Sequence, residues 1–133
     1  MFQSVPPYVD TLGDHVVVED KAFLDRNVAV GNRSVLRNGS QLQFRASVRA
    51  DVKIGAAVVV SRDSTLDNGV SIGARTVVRQ DTRIGMDTLI GQECDIGRDS
   101  QIGDRVRIGD NVVVPAETVI PDDTVFLDGS TGP

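Results

Sequence analysis

The sequence predicts an all-β chain built as one parallel stack of short strands and sharp turns, and three observations carry that prediction. An isoleucine-glycine pair returns every six residues at Ile84, Ile90, Ile96, Ile102 and Ile108. The same aliphatic position runs without a slip from Leu12 through Val18, Leu24, Val30, Leu36, Leu42, Val48, Ile54, Val60, Leu66, Ile72 and Val78, then on to Val114, Ile120 and Phe126. Four residues after each aliphatic sits a small or β-branched residue, as at Val16, Ala22, Ser34, Ala46, Thr82 and Cys94. A helix repeats near 3.6 residues and a lone strand alternates with period two, so a strict six demands a unit of short strand plus turn. One such unit buries too little surface to stand alone, whereas stacked copies share a continuous core.

Taken in order, residues 1–11 lie outside the clean repeat. Pro6-Pro7 excludes a regular helix or central strand there, and Phe2, Val5, Tyr8 and Val9 are suited to capping the first coil. From Leu12 to Phe126 each unit reads small-x-aliphatic, the spacing of two inward side chains on one strand. The residue after the aliphatic is often glycine (Gly13, Gly31, Gly55, Gly73, Gly91, Gly109), which places the bend there, where a side chain is costly. The next two residues are nearly always polar, as in Asp14-His15 and Gln92-Glu93, and face water. Pro115 and Pro121 take the corner position near the end, removing backbone donors where a stack presents a free edge, a block to end-to-end growth. Residues 127–133 are expected to form a flexible tail.

At 133 residues the chain is one domain's worth. It has no Trp and a single Tyr, so the core must be aliphatic. Fourteen Lys and Arg against nineteen Asp and Glu are interleaved along the chain with no basic block, which argues against nucleic acid or an anionic membrane as partner. Cys94 is the only cysteine, so no internal disulfide exists. With no signal-peptide pattern and no apolar run of membrane-spanning length, the expectation is a soluble, cytoplasmic protein.

The pattern aliphatic-Gly-x-x-small-x over Leu12 to Phe126 resembles the hexapeptide-repeat (bacterial transferase hexapeptide) superfamily. That resemblance implies a single left-handed parallel β-helix of a little over six triangular coils with three hexads each, about 30 Å tall at a strand spacing near 4.8 Å, with no extruded loops. Handedness rests on the resemblance, since connections between parallel strands are ordinarily right-handed. The superfamily's acyltransferases use acyl-CoA and a catalytic His beside an extruded loop; its γ-class carbonic anhydrases bind zinc through three His shared across a trimer. Here every hexad is uninterrupted and His15 is the only histidine, so no catalytic residue carries over by motif. The run Asn111 to Phe126 is also similar to the final coil of the two small β-helical subunits of dynactin, which implies a non-catalytic part of a larger assembly.

Several constellations follow from the repeat. His15, with Asp14 beside it and Asp10 upstream, is the single candidate for a catalytic base, though an exposed turn residue is the simpler account of it. Stacking every eighteenth residue puts Asp63, Asp81, Asp99 and Glu117 in one corner column, where a hard divalent cation would relieve repulsion; Arg62, Arg79, Arg83 and Arg98 nearby offer a simpler balance. Outward positions sort into three faces. Phe23, Val59, Val77 and Val113 fall on one and Val17, Val35 and Leu89 on a second, apolar enough to predict homo-oligomerisation, and the resemblance implies a trimer. The threonines and Cys94 fall on inward positions, which argues against an ice-binding array and for an inert buried thiol.

These residues favour a non-catalytic structural or protein-interaction β-helix that self-assembles or docks in a larger complex through its flat faces. Two alternatives stay open. One is an acyl-CoA-dependent acyltransferase with active sites between subunits and His15 as base; the other is a divergent γ-carbonic anhydrase-like metal binder. Acyl-CoA or a divalent metal enters only with those alternatives.

Overall fold

The computed structural model describes residues 11–129, and the expected cap lies outside them except for Thr11, which already pairs with Ala29 as part of the first strand. Twenty two-residue strands follow one another from Thr11–Leu12 to Val125–Phe126, joined by corners of four residues, with no helix and no extruded loop among the described residues. Every third strand pairs in parallel at a register of eighteen residues, as Ser71 with Leu89 and Ile72 with Ile90. Three sheets result, of seven, seven and six strands, beginning at Thr11, Val17 and Phe23. The chain is therefore a left-handed, three-sided β-helix of about six coils.

The aliphatic of each strand points inward, and so does the small residue before the strand. Leu36, Leu42, Ile54, Leu66, Ile84 and Ile96 are fully buried, as are Val28, Val52 and Val58 at small positions. Leu12 is 42% exposed because no described coil lies beneath it. Thr76, Thr82 and Thr88 are buried as the repeat requires. Their hydroxyls bridge neighbouring coils: Thr88 Oγ1 donates to the Gly103 carbonyl at 2.9 Å and accepts the Val106 N–H at 3.2 Å. Ser64 does the same between Arg79 and Thr82. No buried side-chain nitrogen or oxygen among the described residues lacks a partner, so the polar inward residues cost little.

The bend sits later than the sequence suggests. The glycine after the aliphatic does not carry the turn; the two residues after it do, and the second of them adopts the left-handed backbone, as at His15 (φ 59°), Ala57 (φ 57°) and Asp99 (φ 57°). For an L-residue that conformation costs about 1–2 kcal/mol. Coil-to-coil bonds offset it, since from Arg33 onward each such residue donates its N–H to the coil below, as Glu93 to the Ala74 carbonyl at 2.9 Å. The glycine is needed for a different reason. A Cβ on Gly73 would lie 2.6 Å from the Gly91 carbonyl carbon and 2.7 Å from the Gln92 nitrogen. At Gly85, Gly91, Gly103 and Gly109 the same space is taken by a carboxylate oxygen of Asp104, Asp110, Asp122 and Asp128. Each of those oxygens also accepts a backbone N–H of the coil below, Asp110 from Gln92 at 2.9 Å and Asp122 from Asp104 at 2.7 Å. A glycine and an Asx nineteen residues later thus form one interlocking contact.

Outside, arginines pair with carboxylates one coil away. Arg33 grips Asp51 through two bonds of 2.9 and 3.0 Å, Arg45 grips Asp63 at 2.7 and 3.2 Å, and Arg105 grips Asp123 at 2.9 and 3.3 Å. The hydrogen bond from each guanidinium, with its charge, holds Asp51, Asp63 and Asp123 below the usual carboxylate range. These groups are solvated, so each pair is a weak, salt-sensitive contribution.

Two predictions follow. Gly73→Ala forces two backbones apart and lowers unfolding free energy by about 2–3 kcal/mol in urea titration. Gly39→Ala, whose φ of 74° is left-handed but whose Cβ meets nothing nearer than 3.9 Å, costs only about 1 kcal/mol. For pH the sign is set by carboxylates depressed in the folded state. Their contribution is complete above the unfolded Asp range near pH 4 and is lost as pH falls through the lower folded-state values. Melting temperature therefore drops on acidification below about pH 4, and Asp51→Asn, Asp63→Asn and Asp123→Asn combined flatten that drop in a thermal melt series.

Candidate functional site

His15 occupies the second corner residue of the first described coil, exposed, with Arg33 one coil above in the same column. Its neighbour Asp14 is tied to that coil through its backbone: the Asp14 N–H donates to Asn32 Oδ1 at 2.8 Å and its carbonyl accepts the Arg33 N–H at 2.8 Å. Among the described residues no hydrogen bond or ion pair holds the His15 side chain, and Asp10 lies outside them.

Asp63, Asp81, Asp99 and Glu117 do stand in one column, each on a left-handed corner residue. The structure threads cations between them. Asp63 is held by Arg45 from below and lies 3.6 Å from Arg62; Arg98 bonds Asp99 at 3.0 Å and stands 4.0 Å from Glu117. Among the described residues no group of three or more His, Cys, Asp or Glu has the arrangement of a metal site.

The outward residues divide between sheets as the eighteen-residue register dictates. Phe23, Val59, Val77 and Val113 share one face, interrupted by Asp95, whose carboxylate takes both bonds of Arg79 at 3.0 Å. Val17, Val35 and Leu89 share another with Lys53, Ser71 and Arg107. Phe23, Leu89 and Val113 are exposed, and Val17, Val35, Val59 and Val77 half-buried. The structure brings each set together and keeps the two sets on separate sides.

A shallow groove of about 430 Å³ runs beside the corner of the Phe23 face, lined by Arg79, Asp95, Arg98, Val113 and Pro115. Apolar wall and guanidinium groups meet there. The sequence reading sets Arg79 and Arg98 beside this corner and Val113 on an outward face but does not join them, because the repeat does not show that side chains on a corner and on a face line one groove. Cys94 is buried, donates to the Gly109 carbonyl at 3.0 Å, and burial pushes its thiol up, which suits a packing residue and not a nucleophile. No helix of the described residues is long and apolar enough to cross a membrane.

Comparison with known proteins bears on these surfaces. A search of curated proteins returns no match. Among solved structures, the acetyltransferase domain of PglB from Neisseria gonorrhoeae in complex with acetyl coenzyme A is similar with a TM-score of 0.71 at 23% identity, over 84% of this chain and 54% of that one. The same domain solved separately aligns with a TM-score of 0.64 at 26% identity, over 87% and 53%. PerB from Caulobacter crescentus, in complex with CoA and GDP-perosamine, aligns with a TM-score of 0.59 at 17% identity, over 84% and 53%. This chain thus spans about half the length of those structures. They share its hexapeptide-repeat β-helix. The family model described as the GMPPB C-terminal domain, itself of hexapeptide type, matches residues 27–131. By that match over most of its length, the chain belongs to the GMPPB C-terminal domain family.

Proposed function

We propose that this chain is the acyl-CoA-binding β-helix of an acyltransferase, acting as a cytoplasmic homo-oligomer whose active clefts lie between subunits. The observation that carries the reading is the likeness to two enzymes whose structures hold acetyl coenzyme A or CoA, over 84% of this chain in each case. The surfaces are suited to it. The groove offers Arg98 to phosphate and an apolar wall of Val113 and Pro115 to the nucleotide end of acyl-CoA, about five coils from His15. The half-apolar faces around Val59 and Val77, or around Val35 and Leu89, supply a second wall once another subunit packs there. A trimer is the assembly proposed.

In this reaction the amine or hydroxyl of an acceptor attacks the thioester carbonyl and a base takes its proton. The tetrahedral adduct then collapses, breaking the carbon–sulfur bond and releasing CoA as the thiol once protonated. His15 is the one imidazole in the sequence and the proposed base.

A second reading, a non-catalytic module docking through its faces, is favoured by one specific observation: no connection between Thr11 and Gly129 leaves the stack, and His15 sits on its first described coil without an orienting partner. Isothermal titration of the purified chain with acetyl-CoA separates the two. Saturable binding, together with a His15→Ala variant that still binds but loses about 100-fold or more in thiol release with an amino-sugar acceptor, supports the enzyme. No saturable binding by the assembled protein leaves the docking module.

A further inference from the structure

The last described coil differs from all those beneath it. In the coil below, the outward positions of the three faces are Asp95, Gln101 and Arg107; in the last coil they are Val113, Val119 and Val125. These valines are 50%, 67% and 60% exposed, and Leu127 beyond them is 75% exposed. A shallow groove of about 520 Å³ opens under this edge, lined by Leu89, Arg107, Phe126, Leu127 and Asp128. The charge is equally lopsided. Between Val113 and Gly129 stand Glu117, Asp122, Asp123 and Asp128 with no Lys or Arg, so this coil holds −4 of the chain's formal −5. Asp123 is gripped by Arg105 and Glu117 stands 4.0 Å from Arg98, whereas Asp122 and Asp128 each spend one oxygen on a backbone N–H below, from Asp104 at 2.7 Å and Asp110 at 2.8 Å, and form no salt bridge among the described residues. Along the edge the order is Val119, then Asp122 and Asp123 at the corner, then Val125, Leu127 and Asp128: apolar anchors alternating with carboxylates.

What fits this edge is narrowed by backbone and charge. Gly97 and Gly103 donate their N–H groups to Val114 and Ile120 of the coil above them, at 2.7 and 2.8 Å. Pro115 and Pro121 hold the equivalent positions in the last coil and have no N–H, so a strand laid on top would pair incompletely. A second copy stacking end to end is also opposed by charge. The first described coil, Thr11 to Asn27, carries four carboxylates against Lys21 and Arg26. The first and the last described coils are thus both acidic. Side chains rather than backbone must make the contact, and the partner must bring cations and apolar groups together.

We propose that the edge formed by Val119, Asp122, Asp123, Val125, Leu127 and Asp128 is a docking site for a basic amphipathic helix of another protein. Leu-type anchors at i, i+3 or i+4 and i+7 seat over Val119, Val125 and the Leu127 groove, and flanking Lys or Arg meet the carboxylates. The contact is independent of acyl-CoA.

The test is fluorescence anisotropy of the full chain with a labelled sixteen-residue Leu/Lys amphipathic peptide at physiological salt, beside a control peptide with Ser for every Leu. The expected result is saturable binding of the Leu peptide only. Val119→Ser with Val125→Ser weakens it about tenfold or more, and Asp122→Asn with Asp128→Asn weakens it and flattens its salt dependence. All four positions are exposed, and unchanged thermal melts confirm that the variants fold. Three results overturn the proposal: no saturation, equal binding of the Ser peptide or of the valine variants, or a mass by light scattering that falls in the valine variants, which would make the edge a contact between copies of this chain.

Discussion

Everything in this molecule depends on how closely the backbone of one coil approaches the next at the corners. After each inward aliphatic the chain passes so near the coil above that a Cβ on Gly31, Gly55, Gly73 or Gly97 would overlap backbone atoms. That approach lets N–H groups donate upward from the strands and downward from the turns, as Gly91 to Ile108 and Glu93 to Ala74. It also forces the left-handed residue at each corner, which is tolerated because its N–H and its neighbour's carbonyl are both engaged. Height, register and the alignment of side-chain columns follow from this contact.

One consequence is that stability and function occupy different atoms. Inward positions and corner glycines hold the stack together; outward positions are free to vary, and do, from Val35 to Lys53 to Ser71 to Arg107 in a single column. Chemistry on such a scaffold belongs to columns of outward residues and to what a neighbouring molecule adds beside them. That is why the acyl-CoA reading is placed in clefts between subunits and the helix-docking reading on the last described coil, where exposed valines stand on all three faces. Fold alone does not choose among activities.

The fold was legible because the hexad is a local signal. Twenty registers of aliphatic and small residues announce the inward positions directly, and Thr82 or Cys94 at a small position declares its burial without a structure. The interlock was not legible, because its partners are nineteen residues apart and no short window contains both Gly91 and Asp110. For the same reason the bend was placed on the glycine: rarity of a side chain signals either a turn or a close approach, and only the coil above tells them apart. Of the site, the sequence singled out His15 and the carboxylate column. The arginines beside that column were legible too, but which carboxylate each one meets, and the groove of Arg79, Arg98 and Val113, depend on side-chain reach that the repeat does not show. The apolar last coil was visible as Val113 and Val125 in two columns, but its contrast with the coil beneath appears only when all three faces are compared.

The central claim is that each coil is specified by its partner eighteen residues away and not by the hexad alone. Deleting residues 73–90 removes one whole coil and keeps every column in line. Deleting residues 85–90 removes a single hexad, leaves all inward residues inward, and turns every later coil by one face against those before it, so that Arg75 and Arg79, which this variant keeps, no longer stand beside Glu93 and Asp95. The coil deletion removes both arginines and leaves none mismatched. Urea unfolding of the two variants is the measurement. A coil deletion that unfolds cooperatively and loses less stability than the hexad deletion, despite removing three times the chain, is the predicted result; a hexad deletion as stable as the coil deletion would contradict it.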